Sequence, residues 1–377
     1  MKPRVRSIPR RAGFSVLARC TLLLLSLAAI SCGVLLPSEG GADASKAQHA
    51  AVAQEPTRGI WLSAQEIAAL PTRGPAWDAL NKAASSTVLR PNLRDQDDLS
   101  NVRVLAKALV YARTGDAALR KEVVRALRAI RGTEERASVL AVARELMAYV
   151  IAADLIGLEG VERTSFEAWL RSVRERSFRG RTIRSTHEDR PNNWGTHAGA
   201  TRIALALYLG DDEDVERAAQ VFRGWTGESS GWRGFEFGDR GWQASFFRNK
   251  AVNPRGATYR GHSIDGVLPD DQRRGGGFAW PPPKENYVYE ALQGAVAQAE
   301  LLSRQGYPSY RWGDQALLRA FTWLHAEADF PAEGDDTWLP WIINRRYESD
   351  FPAPTPTRPG KGMGFSDWTH PATQSLD

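Results

Sequence analysis

An all-α fold of antiparallel helical hairpins is what this sequence predicts, and three observations predict it. Apolar residues recur at helical spacing through most of the chain, the turns between those runs are short, and strand signals are scarce. No fixed repeat length is evident, so the repetition is one of structure rather than of sequence, in a curved or closed α/α array. The 377 residues suffice for one large domain or two modest ones with a substantial core.

In chain order, a basic stretch to Arg19 precedes an apolar run from Thr21 to Leu36, which reads as an export leader over 1–36. Three outcomes stay open for it: cleavage at Ala42-Asp43-Ala44, lipid attachment at Cys32, or retention as an anchor. The pair Arg10-Arg11 also hints at twin-arginine export. Residues 37–56 are small, polar and aperiodic, a tether. From 57 to 377 the body follows as a single domain. Val102, Leu105, Leu109 and Ala112 mark a helix that ends at Thr114-Gly115. Asp116 is the next N-cap, with Leu119, Val123, Leu127 and Ile130 on one face. The run Val139 to Leu155 is apolar nearly all round, as a helix buried on several sides would be. Ser165 is expected to cap a helix over 166–173. Helices over 196–209 and 214–225 form a pair joined by Gly210-Asp211-Asp212. Residues 227–284 break the pattern, with many Gly, Pro, Arg and aromatic residues, and an irregular segment of that length inside a domain is more often functional than a linker. Helices resume over 285–305, 314–328 and 337–346. The aromatic tail around Phe365 and Trp368 is expected to drape across the fold for cover.

Charge narrows the partners. The chain holds 49 Lys and Arg against 44 Asp and Glu. Seven of those basic and two of those acidic residues lie in 1–54, so the body is neutral and carries no overall cationic field for nucleic acid. Both cysteines, Cys20 and Cys32, lie in the leader. The body can therefore hold neither disulfides nor thiolate metal sites. No His-x-x-x-His or His-Glu-x-x-His run and no phosphate-binding glycine loop occurs, and no cofactor or metal is expected. The expected partner is an acidic polysaccharide and the expected state a monomer, exported to the periplasm or beyond, with a membrane link only through the leader.

The motifs then carry a family resemblance. Asp265-Gly266, Leu268-Pro269, Arg274-Gly275, Tyr287 and Ala291-Leu292-Gln293, preceded by Asn192-Asn193 at a helix start, resemble the alginate lyases of (α/α) toroid fold. The resemblance implies an incomplete toroid of helical hairpins and a polysaccharide lyase acting by β-elimination on a uronic-acid glycan. In that family an Asn, an Arg, a Tyr and a His act together, and the matching positions here are Asn193, Arg274 and Tyr287. The family's His directly follows its Asn, where this chain has Trp194. The stretch from Arg274 to Tyr287 is also longer, filled by residues 276–283, which points to a remodelled cleft. His197, on the same helix face as Asn193, and His262, in the aromatic loop, are the candidates to replace the missing His. Asn192, Trp194, Trp232, Trp242, Tyr259, Arg260, Trp280 and Tyr289 are the candidate substrate contacts.

The chemistry needs these residue types. Removing the C5 proton of a 4-linked uronate places charge on its carboxylate. One well-placed donor to such a developing oxyanion is worth roughly 2.7–4 kcal/mol, and Asn193 or Arg274 could supply it. A tyrosine can then take the proton and return one to O4. Its pKa is about 10, and each unit of lowering requires about 1.4 kcal/mol of differential interaction, which a neighbouring guanidinium provides by favouring the phenolate. Plain readings stand beside these: Asn192 or Asn193 as a helix cap, Tyr289 as packing, His187 as structural, the tryptophans as loop core. Two rival functions also stand. A glycoside hydrolase would need paired carboxylates, available from Glu236, Asp239, Asp265 and Asp271. A non-catalytic exported glycan-binding protein would explain Trp194 in place of the His.

Overall fold

The computed structural model describes residues 59–371 except 89, 246, 357–359 and 361. The leader and tether expected over 1–56 fall outside the described residues. Helix α1 (Ala64–Ala69) starts at a capping box, in which the Ser63 hydroxyl accepts from the Glu66 N–H and the Glu66 carboxylate accepts from the Ser63 N–H. Helix α2 (Pro75–Ala84) has its proline in the first turn, where no N–H is missed. Helix α3 (Ser100–Thr114) stops where Gly115 turns left-handed at φ 77°. Asp116 accepts from the Ala118 N–H to begin α4 (Ala117–Ala129), and Ser138 does the same for Ala141 at α5 (Val139–Leu155). Helix α6 spans Gly160–Glu175. Ser165 therefore lies inside it rather than at its cap, a correction whose cause is a start at Glu159 with no side-chain cap to signal it.

Helices α7 (Ile183–Asp189), α8 (Asn193–Leu209) and α9 (Asp212–Trp225) follow. The irregular segment then holds a two-strand hairpin, β1 (Thr258–Tyr259) against β2 (His262–Ser263), and the short α10 (Pro269–Gln272). The chain finishes with α11 (Tyr287–Arg304), α12 (Trp312–Ala326), α13 (Leu339–Tyr347) and α14 (Ser366–Thr369). The described fold is all-α apart from that hairpin.

Packing separates two kinds of helix. Helices α3, α5, α8 and α11 pack each against the next, and residues on nearly every face of α5 and α8 are buried. Helices α4, α6 and α9 bury one stripe only, such as Val123, Ala126 and Leu127 of α4, and pack on the first group. That division is what amphipathic and all-round apolar patterns require. Contacts continue from α11 to α13, to α14, to α2 and back to α3, so the tail closes a circuit of elements.

The closure is anchored by a buried charge. Trp368 is fully buried, donates from Nε1 to the Pro71 carbonyl at 2.8 Å and packs on Trp77. His370 stacks on Trp61 and reaches Glu300 of α11 at 3.2 Å. Glu300 has no exposed surface and also takes Arg304 at 3.0 Å, Arg346 at 2.7 Å and the Tyr310 hydroxyl at 2.9 Å. Burial works to raise the Glu300 carboxyl, but His370 and Arg346 outweigh it and hold it well below the usual range.

Candidate active site

The first turn of α8 lies against the second turn of α11, where the two backbones touch. A Cβ on Gly294 of α11 would run into the backbone of Thr196 and His197, and the Gln298 amide donates to the Thr196 carbonyl at 2.9 Å. Only glycine allows that approach. Asn192 is the N-cap of α8: its Oδ1 accepts from the Trp194 N–H at 3.2 Å and its Nδ2 faces Asp270 at 3.4 Å. The Asn193 N–H, one of the orphan donors of the helix start, goes to Asp271 Oδ1 at 3.0 Å. Asn193 Oδ1 is buried and has no hydrogen-bond partner among the described residues.

Asp271 is completely buried. Burial first, and then Asp270, push its carboxyl well above the usual carboxylate range, against the Asn193 N–H, Arg274 and Arg273, which pull it down. Arg274 follows α10 and places its guanidinium over the ring of Tyr287, 3.6 Å from the centroid. Tyr287 opens α11 and is 39% exposed. A guanidinium against a ring face is held by the ring quadrupole and stays free to meet an anion at its edges.

His197, one turn into α8, is buried and lies 3.9 Å from Glu290 Oε2, on the α11 turn after Tyr287. Arg144 of α5 grips Glu290 with contacts of 2.8 and 3.2 Å. Below them Gln293 donates to Asp336 Oδ1 at 2.6 Å. Burial, with Asp335 and Glu290 adding to it, raises the Asp336 carboxyl to about 8. Arg144, Glu290 and Asp336 were not expected from the sequence, and Gln293 entered only as part of the Ala291-Leu292-Gln293 motif. The available signal was Arg144-Glu145 inside an otherwise apolar helix, since charges there must be buried and partnered.

The Asp336 environment sets a pH dependence. A carboxyl that holds its proton to about pH 8 when folded, but ionises near 3.8 when unfolded, makes stability fall as pH rises through that window. Asp336→Asn keeps an acceptor for Gln293 and is expected to flatten the decline of Tm between about pH 4 and 8. A decline as steep as in the wild type would show that Asp336 is not its source.

The structure thus brings Asn193, His197, Arg274 and Tyr287 to one end of the α8–α11 pair. His262 lies in the loop region, stacked on Trp280 with ring centroids 4.1 Å apart. Tyr259 packs edge-on against Phe278, with the exposed Arg260 over its ring. Trp194 is partly buried in the first turn of α8. Trp232 is half-buried, its Nε1 donates to the Glu188 carbonyl, and Arg217 lies over it at 4.2 Å. Two expected contacts are corrected. Trp242 is a core residue, covered by Phe278 and Trp323 with Nε1 on the Gly276 carbonyl. Tyr289 is likewise buried, its hydroxyl donating to the Phe330 carbonyl at 2.7 Å. Aromatic content alone could not tell their covered faces from open ones.

The carboxylates a hydrolase would use are mostly engaged. Asp239 pairs with Arg273 at 3.0 Å, Asp265 pairs with Arg319, and Asp271 is sealed under Asn193. Among the described residues no group of three or more His, Cys, Asp or Glu is arranged to hold a metal ion. No helix among them is long and apolar enough to cross a membrane.

No curated protein matches the sequence. The family model described as alginate lyase matches residues 36–228, which is more than half of the chain and includes Asn193 and His197 but ends before Arg274 and Tyr287. The chain belongs to the alginate lyase family, a family of polysaccharide lyases.

Proposed function

We propose that this protein cleaves an anionic, uronic-acid-containing glycan by metal-independent β-elimination at the α8–α11 end of the helical circuit, which serves as an (α/α) toroid. The Arg274 guanidinium and the Asn193 amide receive the uronate carboxylate and stabilise the charge that builds on it as the C5 proton leaves. Tyr287 takes that proton as the phenolate and returns one to the departing O4, so the C4–O4 bond breaks as the C4–C5 double bond forms. His197, steadied by Glu290 and Arg144, assists as a second base for sugars whose C5 proton lies on the opposite face. Asp271, by accepting the Asn193 N–H, fixes the start of α8 on which Asn193 sits. Export through the leader would deliver the enzyme to such a polymer outside the cytoplasm.

One observation carries the proposal: the guanidinium of Arg274 rests 3.6 Å above the Tyr287 ring at the solvent-reaching start of α11, beside the Asn193 helix. A screen of alginate, glucuronan, hyaluronan, chondroitin and heparin-type polymers for a gain in near-ultraviolet absorbance tests it. At least one should give the unsaturated uronate. Binding to such polymers with no absorbance gain on any would favour the non-catalytic glycan-binding reading instead.

A further inference from the structure

Apart from the Arg274–Tyr287 pair, a concavity of about 440 Å³ opens between the end of α9 and the loop that follows it. Its walls are aromatic: an edge of Trp232, with Phe235 and Phe237 set edge to face. Its rim is cationic, from Arg233, Arg248 and Lys250. Among the described residues none of these three forms an ion pair with a carboxylate. Backbone carbonyls hold two of them in place instead. Arg233 Nε donates to Ser229 at 3.1 Å and Lys250 Nζ to Gly227 at 3.0 Å. The one carboxylate in the lining, Glu228, accepts the Gly313 N–H at 3.0 Å. Asn249 also lines the space, and its buried Oδ1 has no hydrogen-bond partner among the described residues. Burial first, then Arg233 and Arg248, lower the pKa of Lys250 against the opposing pull of Glu228, as expected where positive charge outnumbers its counter-charge.

We propose that this cavity is a second binding site, one for a carboxylated pyranose, which grips the glycan away from the bond being cleaved. The three cations answer the carboxylate, and the aromatic walls answer the apolar face of a sugar ring. Phe247, 94% exposed beside Arg248, offers a further ring at the rim. The cavity wall also leads toward the catalytic end. Directly after Phe237, the Gly238 N–H donates to Asp270 at 2.8 Å, and Asp239 pairs with Arg273, the neighbour of Arg274. A single chain could therefore span both sites. That the ligand is a uronate polymer rests on the lyase reading; that the cavity selects an anionic sugar does not.

The experiment is retardation in gels cast with alginate, paired with turnover kinetics on any polyuronate the enzyme cleaves. The variants are Arg233→Gln/Arg248→Gln/Lys250→Gln and, against a folding defect in that triple, Arg248→Gln alone. Expected for the triple are lost retardation and a KM for polymer raised about 10-fold, the effect of losing about 1.4 kcal/mol, with kcat within about twofold. Arg248→Gln should shift both in the same direction by less. Tyr287→Phe should be retarded like the wild type, so a protein without lyase activity still decides the question. Wild-type retardation and KM in the variants would overturn the proposal. Equal retardation by a neutral glucan, or release by millimolar phosphate as readily as by free uronate, would overturn it too.

Discussion

Tyr287→Phe is expected to lower turnover by about 10²–10⁴-fold, the range for loss of one positioned acid–base group. Folding should survive, because the side chain is 39% exposed and the lost hydroxyl supports no packing. The ring that carries Arg274 is also retained, so glycan affinity should change little. The loss should fall on kcat and kcat/KM together, as for a group that acts only in the transition state. Wild-type rates in this variant would remove Tyr287 from the mechanism.

Glu300→Gln is expected to produce the largest loss of stability. Glu300 is fully buried and is the shared counter-charge of Arg304 and Arg346, with His370 Nε2 3.2 Å away. Removing one partner of a buried ion pair costs about 3–5 kcal/mol, because the remaining charges stay desolvated. For a domain of this size that corresponds to a fall in Tm of roughly 4–8 °C at neutral pH. Since the folded carboxyl is held well below its ordinary 4.5, its contribution is complete above about that pH and is lost as pH falls through the folded value. The gap between wild type and variant should therefore narrow in acid. The C-terminal segment should loosen first, because His370 is its link to α11. A variant that melts with the wild type at neutral pH would show that the tail is held without the Glu300 charge.

Much of the helical order was legible because local signals and burial agree. Val139 to Leu155 is found as expected, its all-round apolar pattern bounded by Ser138, and Asp116 caps α4. Helix α6 was misplaced at its start because Glu159 offers no side-chain cap. Helices α7, α10 and α14, of seven, four and four residues, are too short to show a period. Arg274 and Tyr287 could be read because they stand close in the chain inside one motif. Arg144 and Glu290 could not, since 146 positions separate them and only the packing of α5, α8 and α11 brings them to His197. Trp242 and Trp280 look alike in sequence, yet one fills the core while the other, half-buried, stacks on His262. What covers a loop aromatic is decided by distant residues.

The most direct measurement counts, on the same digest of an active polyuronate, the new double bonds by near-ultraviolet absorbance and the new reducing ends. Elimination through Arg274, Asn193 and Tyr287 requires one unsaturated uronate for every chain broken. Reducing ends that rise while absorbance stays flat would mean that water cleaves the bond, and would contradict the assignment of this site to β-elimination.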